Sequence, residues 1–172
     1  MIPYSRQLIG TEEINAVIKT LKSKYLTQGK NLLNFENALN KKFNSKYSVG
    51  FNSATSALHI SCLALGIKKG DIVWTCTNSF VASSNCALYC GAKVELIDID
   101  LKNFNINLID FEKKLILAKK INKLPKLVIP VHFAGLPCDM KKIYSLSKKF
   151  GFKILEDASY AVGAKYFNNK VG

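Results

Sequence analysis

Residues 153–160 read KILEDASY: a short apolar run ends on Glu156 and Asp157, with Tyr160 three positions beyond. A carboxylate at the end of a buried strand is costly to desolvate unless a cation or hydrogen-bond donors meet it. A protonated heteroaromatic nitrogen would be such a cation, and helix capping is the plainer alternative for Asp157. Three other stretches have the same form. Residues 52–57, NSATSA, bring Ala54, Thr55 and Ser56 to the start of a helical pattern, where free amides and hydroxyls suit a phosphate or simply cap the helix. TNSFVAS sets Phe80 just past a strand, placed either to lie flat on a ring or to pack in the core. PVHFAG offers His132, as support for a carboxylate, as a contact to a cofactor, or as a structural histidine.

The chain contains neither G-x-G-x-x-G nor G-x-x-x-x-G-K-[ST], which turns the reading away from dinucleotides and triphosphates. One phosphate, a ring to stack on and a ring nitrogen held by an aspartate together describe pyridoxal 5′-phosphate, whose protonated pyridine acts as an electron sink.

Composition narrows the setting. At 172 residues and 48% hydrophobic, the chain is long enough for one domain with a real core. No apolar run approaches the roughly 20 residues of a membrane-spanning helix. The N-terminus lacks the succession of a signal peptide, so a cytoplasmic protein with no membrane partner is expected. Five cysteines without a C-x-x-C pair indicate neither a disulfide framework nor a metal site, and Cys86 with Cys90 on one helix face is the nearest approach to one. The net charge is +13, but Arg6 is the only arginine and the lysines are scattered in pairs such as Lys41-Lys42 and Lys148-Lys149. Base readout favours arginine forks, so a solvated lysine surface is expected in place of a nucleic-acid interface.

The positioning elements follow from periodicity. Helical spacing runs over 11–26, behind Thr11 as N-cap, and again through Leu32, Phe35, Leu39 and Phe43. Short strands are expected at 47–52, 71–78, 93–100, 126–133 and 153–157. Helices are expected from Ser53 to Ile67, over 79–90, near 107–120, and over 138–150 behind Asp139. Apolar strands separated by helices imply an α/β fold: three layers, α/β/α, around a mainly parallel sheet. Ligands of such sheets bind beyond the carboxyl ends of the strands, where all four polar clusters fall.

In order along the chain, YLTQGKNLLNFENAL, FNSATSALHI, NSFVASSNCAL, VIPVHFAGLPCDM and ILEDASYAVGAKYFNNKVG resemble the DegT-type sugar-nucleotide aminotransferases, a branch of the fold-type I pyridoxal phosphate enzymes. LTQGK with FNSATSAL is most similar to the transaminases that make 4-amino-4,6-dideoxy sugars on a UDP carrier, including those of pseudaminic acid synthesis. The resemblance implies that Ala54, Thr55 and Ser56 contact the cofactor phosphate, Phe80 stacks on the pyridine, and Asp157 pairs with its nitrogen. His132 joins that set. Tyr160 stands where the family usually has Gln or His, and the aspartate-aminotransferase branch of the fold uses a tyrosine three residues after the aspartate to reach the phenolic oxygen. The implied partners are a keto sugar linked to a nucleotide and an amino-acid donor, often glutamate, in a homodimer.

One expected part is missing. The family's Schiff-base lysine follows the KVG motif by about a dozen residues, beyond Gly172, and Lys165 and Lys170 lie before it in an expected hairpin. Residues 1–172 are therefore expected to form the N-terminal segment and most of the large cofactor-binding domain, inactive alone, without the lysine segment or the small C-terminal domain. A pyridoxal-dependent sugar dehydratase, which replaces the lysine by histidine, and a non-catalytic homologue that kept the fold as a binding module remain alternatives.

Overall fold

The computed structural model describes residues 6–171, in two compact units divided after Gly50. The comparison of the N-terminus with a signal peptide rests partly on residues 1–5, and the chain end at Gly172 also lies outside the described residues.

The first unit is a pair of amphipathic helices, α1 (Thr11–Leu21) and α2 (Lys30–Phe43). Gly10, and not Thr11, is the N-cap of α1, and the Glu13 carboxylate accepts from the Gly10 N–H at 2.7 Å. That bond holds the Glu13 carboxyl below its ordinary range. The helix stops at Leu21, short of the expected 26, where the Ser23 hydroxyl takes the Tyr25 carbonyl and the chain turns. Asn31 Nδ2 donates to Thr20 Oγ1, tying the start of α2 to the last turn of α1. Residues 47–52 form no strand, because among the described residues no neighbouring backbone forms a ladder with them. They are held instead by side chains: Glu36 Oε1 accepts from the Gly50 N–H at 2.8 Å. A Cβ at Gly50 would come within 2.8 Å of Leu32 Cδ1, so a larger residue there would require the Leu32 side chain to move.

In the second unit, four parallel strands form one sheet: β1 (Ile72–Cys76), β2 (Lys93–Ile97), β3 (Leu127–Ile129) and β4 (Lys153–Ile154), in the order β2-β1-β3-β4. Alternation along β1 and β3 decides which helix covers which face. Val73, Leu127 and Ile129 pack with Leu58 and Cys62 of α3 (Ala54–Ala64) and Ala82, Cys86 and Ala87 of α4 (Ala82–Tyr89). Trp74, Cys76 and Val128 pack with Phe111 and Leu115 of α5 (Leu108–Lys120) and Ile143 and Leu146 of α6 (Met140–Phe150). This is the expected three-layer α/β/α arrangement, with the sheet apolar on both faces as parallel strands require. Helix starts obey local chemistry: Ser53, Asn107 and Asp139 each accept from a first-turn amide. After Lys165–Tyr166 (β5), the chain turns back as Asn169–Lys170 (β6), the expected hairpin, with Lys165 opposite Lys170. Tyr166 anchors it by donating its hydroxyl to Asp139.

The order of the strands matters most for function. From β1 the chain crosses over α4 to β2 on one side, then over α5 to β3 on the other side of β1. Connections thus diverge between β1 and β3, and the crevice opened there lies at the carboxyl ends of the strands.

Candidate active site

Helix α3 runs against the strands, and two lysines establish this. Lys126, at the amino end of β3, reaches the Gly66 carbonyl, and Lys153, at the amino end of β4, reaches the Leu65 carbonyl at 3.1 Å. The carboxyl end of α3 therefore sits at the amino edge of the sheet. Eleven residues of helix rise about 16 Å, and Lys153 to Asp157 spans about 13 Å of extended chain. The N-terminus of α3 accordingly lies toward the carboxyl edge, the end at which Asp157 emerges. There the N–H groups of Ala54 and Thr55 have no intrahelical acceptor. Ser53 Oγ accepts from the Ser56 N–H at 3.2 Å and lies 3.1 Å from Ser56 Oγ. Two amides and two hydroxyls thus converge at the positive end of the helix, a donor set suited to a phosphate.

Asp157 continues β4 beyond Ile154: its N–H donates to the Pro130 carbonyl at 2.9 Å, and its own carbonyl accepts from the His132 N–H at 3.1 Å. These bonds fix the backbone so that the side chain is only 6% exposed. Ser83 Oγ donates to Oδ2 at 2.6 Å, and Ser159 donates to Oδ1 from Oγ at 2.6 Å and from its N–H at 3.3 Å. A carboxylate has about four acceptor positions, so one remains, on Oδ2. Among the described residues no Lys, Arg or His forms an ion pair with Asp157. A buried carboxylate given donors but no counter-cation is incomplete, and the open Oδ2 position can accept from a further N–H or O–H donor, charged or neutral.

His132 is 1% exposed and both its nitrogens are engaged. Nδ1 accepts from the Cys138 N–H at 3.1 Å, so the ring proton sits on Nε2, which donates to Glu156 Oε2 at 2.9 Å. Of the roles open to His132, support of a carboxylate is therefore the one the hydrogen bonds fit, and only its ring carbons are left to touch a cofactor. Phe80, four residues past the end of β1, is 69% exposed and is not a core residue, which leaves its ring accessible. Tyr160 is 65% exposed, on the loop after Asp157. That loop lies against the one after β3: a Cβ at Gly135, whose φ is +85°, would meet the Tyr160 carbonyl at 3.0 Å.

Sequence reasoning missed three contributors. Ser159 had a local signal, an Asp with a Ser two positions on, the pattern of an Asx-type turn. Ser83 had none, being 74 positions from Asp157. Asn105 is buried and pins the loop that follows His132: Oδ1 accepts from the Phe133 N–H at 3.0 Å, and Nδ2 donates to the carbonyls of Leu136 and Pro137.

Burial pushes Cys76 up, with the neighbouring Asp157 adding to it, and pushes Cys138 up to about 12, so both stay protonated at neutral pH. Cys86 and Cys90 turn their thiols to the Ser83 and Cys86 carbonyls of their own helix region. Among the described residues no helix is long and apolar enough to cross a membrane.

A family model described as the DegT/DnrJ/EryC1/StrS aminotransferase family matches residues 7–172. Among curated proteins, the uncharacterised protein MJ1066 of Methanocaldococcus jannaschii is 39% identical over 171 residues, 99% of this chain and 43% of that protein. Among solved structures, Helicobacter pylori PseC, an aminotransferase involved in the biosynthesis of pseudaminic acid, superposes with a TM-score of 0.89 at 35% identity, over 99% of this chain and 44% of that one. Spr1654 of Streptococcus pneumoniae superposes with TM-scores of 0.88 in its PLP form and 0.89 in its PMP form, at 26% and 27% identity, over 99% of this chain and 46% and 45% of those. The chain thus spans less than half the length of these relatives.

Proposed function

The chain belongs to the DegT/DnrJ/EryC1/StrS aminotransferase family, whose members depend on pyridoxal 5′-phosphate, and from that premise we propose that it carries the cofactor-binding portion of a sugar-nucleotide aminotransferase. The observation that carries the reading is Asp157, buried among hydroxyl donors and with no ion pair to a Lys, Arg or His among the described residues. In this proposal the amides of Ala54 and Thr55 and the Ser56 hydroxyl hold the phosphate, the exposed ring of Phe80 covers one face of the pyridine, and Asp157 Oδ2 receives the ring N–H. Tyr160 reaches toward the phenolic oxygen. His132 acts one step back, orienting Glu156 and closing the floor of the site.

When bound, the cofactor supplies an electron sink through which an amino group can leave one substrate and join another. The residues of this chain hold it in place: a fixed carboxylate opposite the ring nitrogen keeps the positive charge there, and helix amides hold the phosphate without needing a charged side chain. We propose an amino acid, glutamate by resemblance, as donor, and a keto sugar on a nucleotide as acceptor. The resemblance of LTQGK with FNSATSAL to transaminases of UDP-linked 4-amino-4,6-dideoxy sugars narrows the proposed acceptor to a UDP-linked 4-keto-6-deoxy sugar, and PseC, an aminotransferase of pseudaminic acid biosynthesis, is among the similar structures. The whole protein is proposed to be a homodimer, a reading supported by α1 and α2, neither of which has a buried residue within its own unit.

Calorimetric titration with pyridoxal 5′-phosphate tests the reading. A single saturable site is expected, competed by inorganic phosphate and weakened at least about tenfold by Asp157→Ala, the worth of one charge-assisted bond. Affinity unchanged in that variant would remove Asp157 from the site and the reading with it.

A further inference from the structure

We propose that Ser83, assisted by Ser159, is a positioning residue that decides where the proton between Asp157 and the cofactor's ring nitrogen resides. The inference rests on the reading of Asp157 given above. Two arrangements of that proton are open: a pyridinium facing a carboxylate, or a neutral pyridine accepting from a carboxylic acid. Burial favours the neutral pair, because desolvation penalises both charges. Only the pyridinium draws electrons strongly, so something in the site must favour the ionic pair.

The hydrogen bonds on Asp157 supply that preference. Ser83 is fully buried, at 0% exposure, on the first turn of α4, and its hydroxyl donates at 2.6 Å. Ser159 donates at the same distance to the other oxygen, with its N–H as a second donor. Each donor stabilises the carboxylate over the acid, and both leave free the one Oδ2 position that a ring N–H can use. Ser83 also limits the rotation of the carboxylate, since turning it would break a bond within the core.

The test uses pyridoxal 5′-phosphate labelled with 15N in the ring, bound to the protein at neutral pH. Unmodified protein is expected to show the ring nitrogen at its protonated chemical shift. Ser83→Ala moves the shift toward the unprotonated value and weakens binding about tenfold, Ser83→Thr restores both, and Ser159→Ala falls between. A residue that merely packed would alter affinity and leave the shift in place. If Ser83→Ala does not fold, Ser159→Ala, at an exposed position, reads the same proton: a shift partway supports the proposal and an unchanged shift overturns it. Binding by the unmodified protein with unchanged shifts in the serine variants overturns the positioning role alone. Failure of the unmodified protein to bind the cofactor overturns that role and the functional reading together.

Discussion

Gly135 lies against the backbone of Tyr160: a Cβ there would stand 3.0 Å from the Tyr160 carbonyl, which would have to give by a few tenths of an ångström, and the backbone φ of +85° disfavours any other residue. The loops after β3 and β4 are thereby in close contact, and the bond from the His132 N–H to the Asp157 carbonyl joins their starts. Gly135→Ala is expected to cost about 1–3 kcal/mol from strain and to weaken cofactor binding, although position 135 offers no side chain to a ligand. Chemical denaturation beside a cofactor titration would check it. Unchanged stability would mean that the two loops move independently.

Asp157→Asn should separate stability from function. The buried carboxylate lacks a counter-cation among the described residues, and a neutral amide of nearly equal size removes that burden while its oxygen still accepts from one serine. Cofactor-free protein carrying the change is expected to gain about 1 kcal/mol in urea unfolding and to lose cofactor affinity. A loss of stability would show that the charge is compensated by a group not considered above.

Asn105 should matter more than its distance from the chemistry suggests. Its three hydrogen bonds hold the backbone from Phe133 to Pro137, so Asn105→Leu leaves a half-buried N–H and two carbonyls unmet. A cost of about 2 kcal/mol is expected, with amide exchange at Phe133 accelerated relative to the sheet. Protection unchanged at Phe133 would contradict the role.

Alkaline pH should weaken the fold through Cys138. Its folded value of about 12 lies above the ordinary 9.0, so the native state holds a proton that the unfolded chain gives up. That stabilisation is complete below pH 9 and is lost as pH rises toward 12, by up to about 1.4 kcal/mol per unit. Tyr166, raised by its bond to Asp139, acts in the same direction. Urea unfolding of the unmodified protein and Cys138→Ala between pH 8 and pH 11 should give a shallower slope for the variant. Parallel slopes would assign the alkaline loss to other groups.

The framework of this fold was legible because its signals are local. Asp139 caps the helix it precedes, the apolar runs of β1 and β3 are buried on both faces, and β5 and β6 pair where a hairpin was expected. The strand expected at 47–52 failed for the complementary reason: an extended pattern becomes a strand only when another backbone lies beside it. Thr55, Phe80 and Asp157 could be picked out as candidates because each lies within a few residues of the end of an apolar run. Ser83 could not, since its meaning depends on a chain reversal that brings α4 back over the end of β4. The roles open to His132 could be narrowed only once Cys138 and Glu156 were seen on its two nitrogens.

The most direct test of the site is a crystal structure of the protein with pyridoxal 5′-phosphate. The phosphate is expected on the amides of Ala54 and Thr55, the ring against Phe80, and the ring nitrogen within hydrogen-bond distance of Asp157 Oδ2. Cofactor found elsewhere, for instance on the hairpin lysines Lys165 or Lys170, with the crevice between β1 and β3 empty, would contradict it.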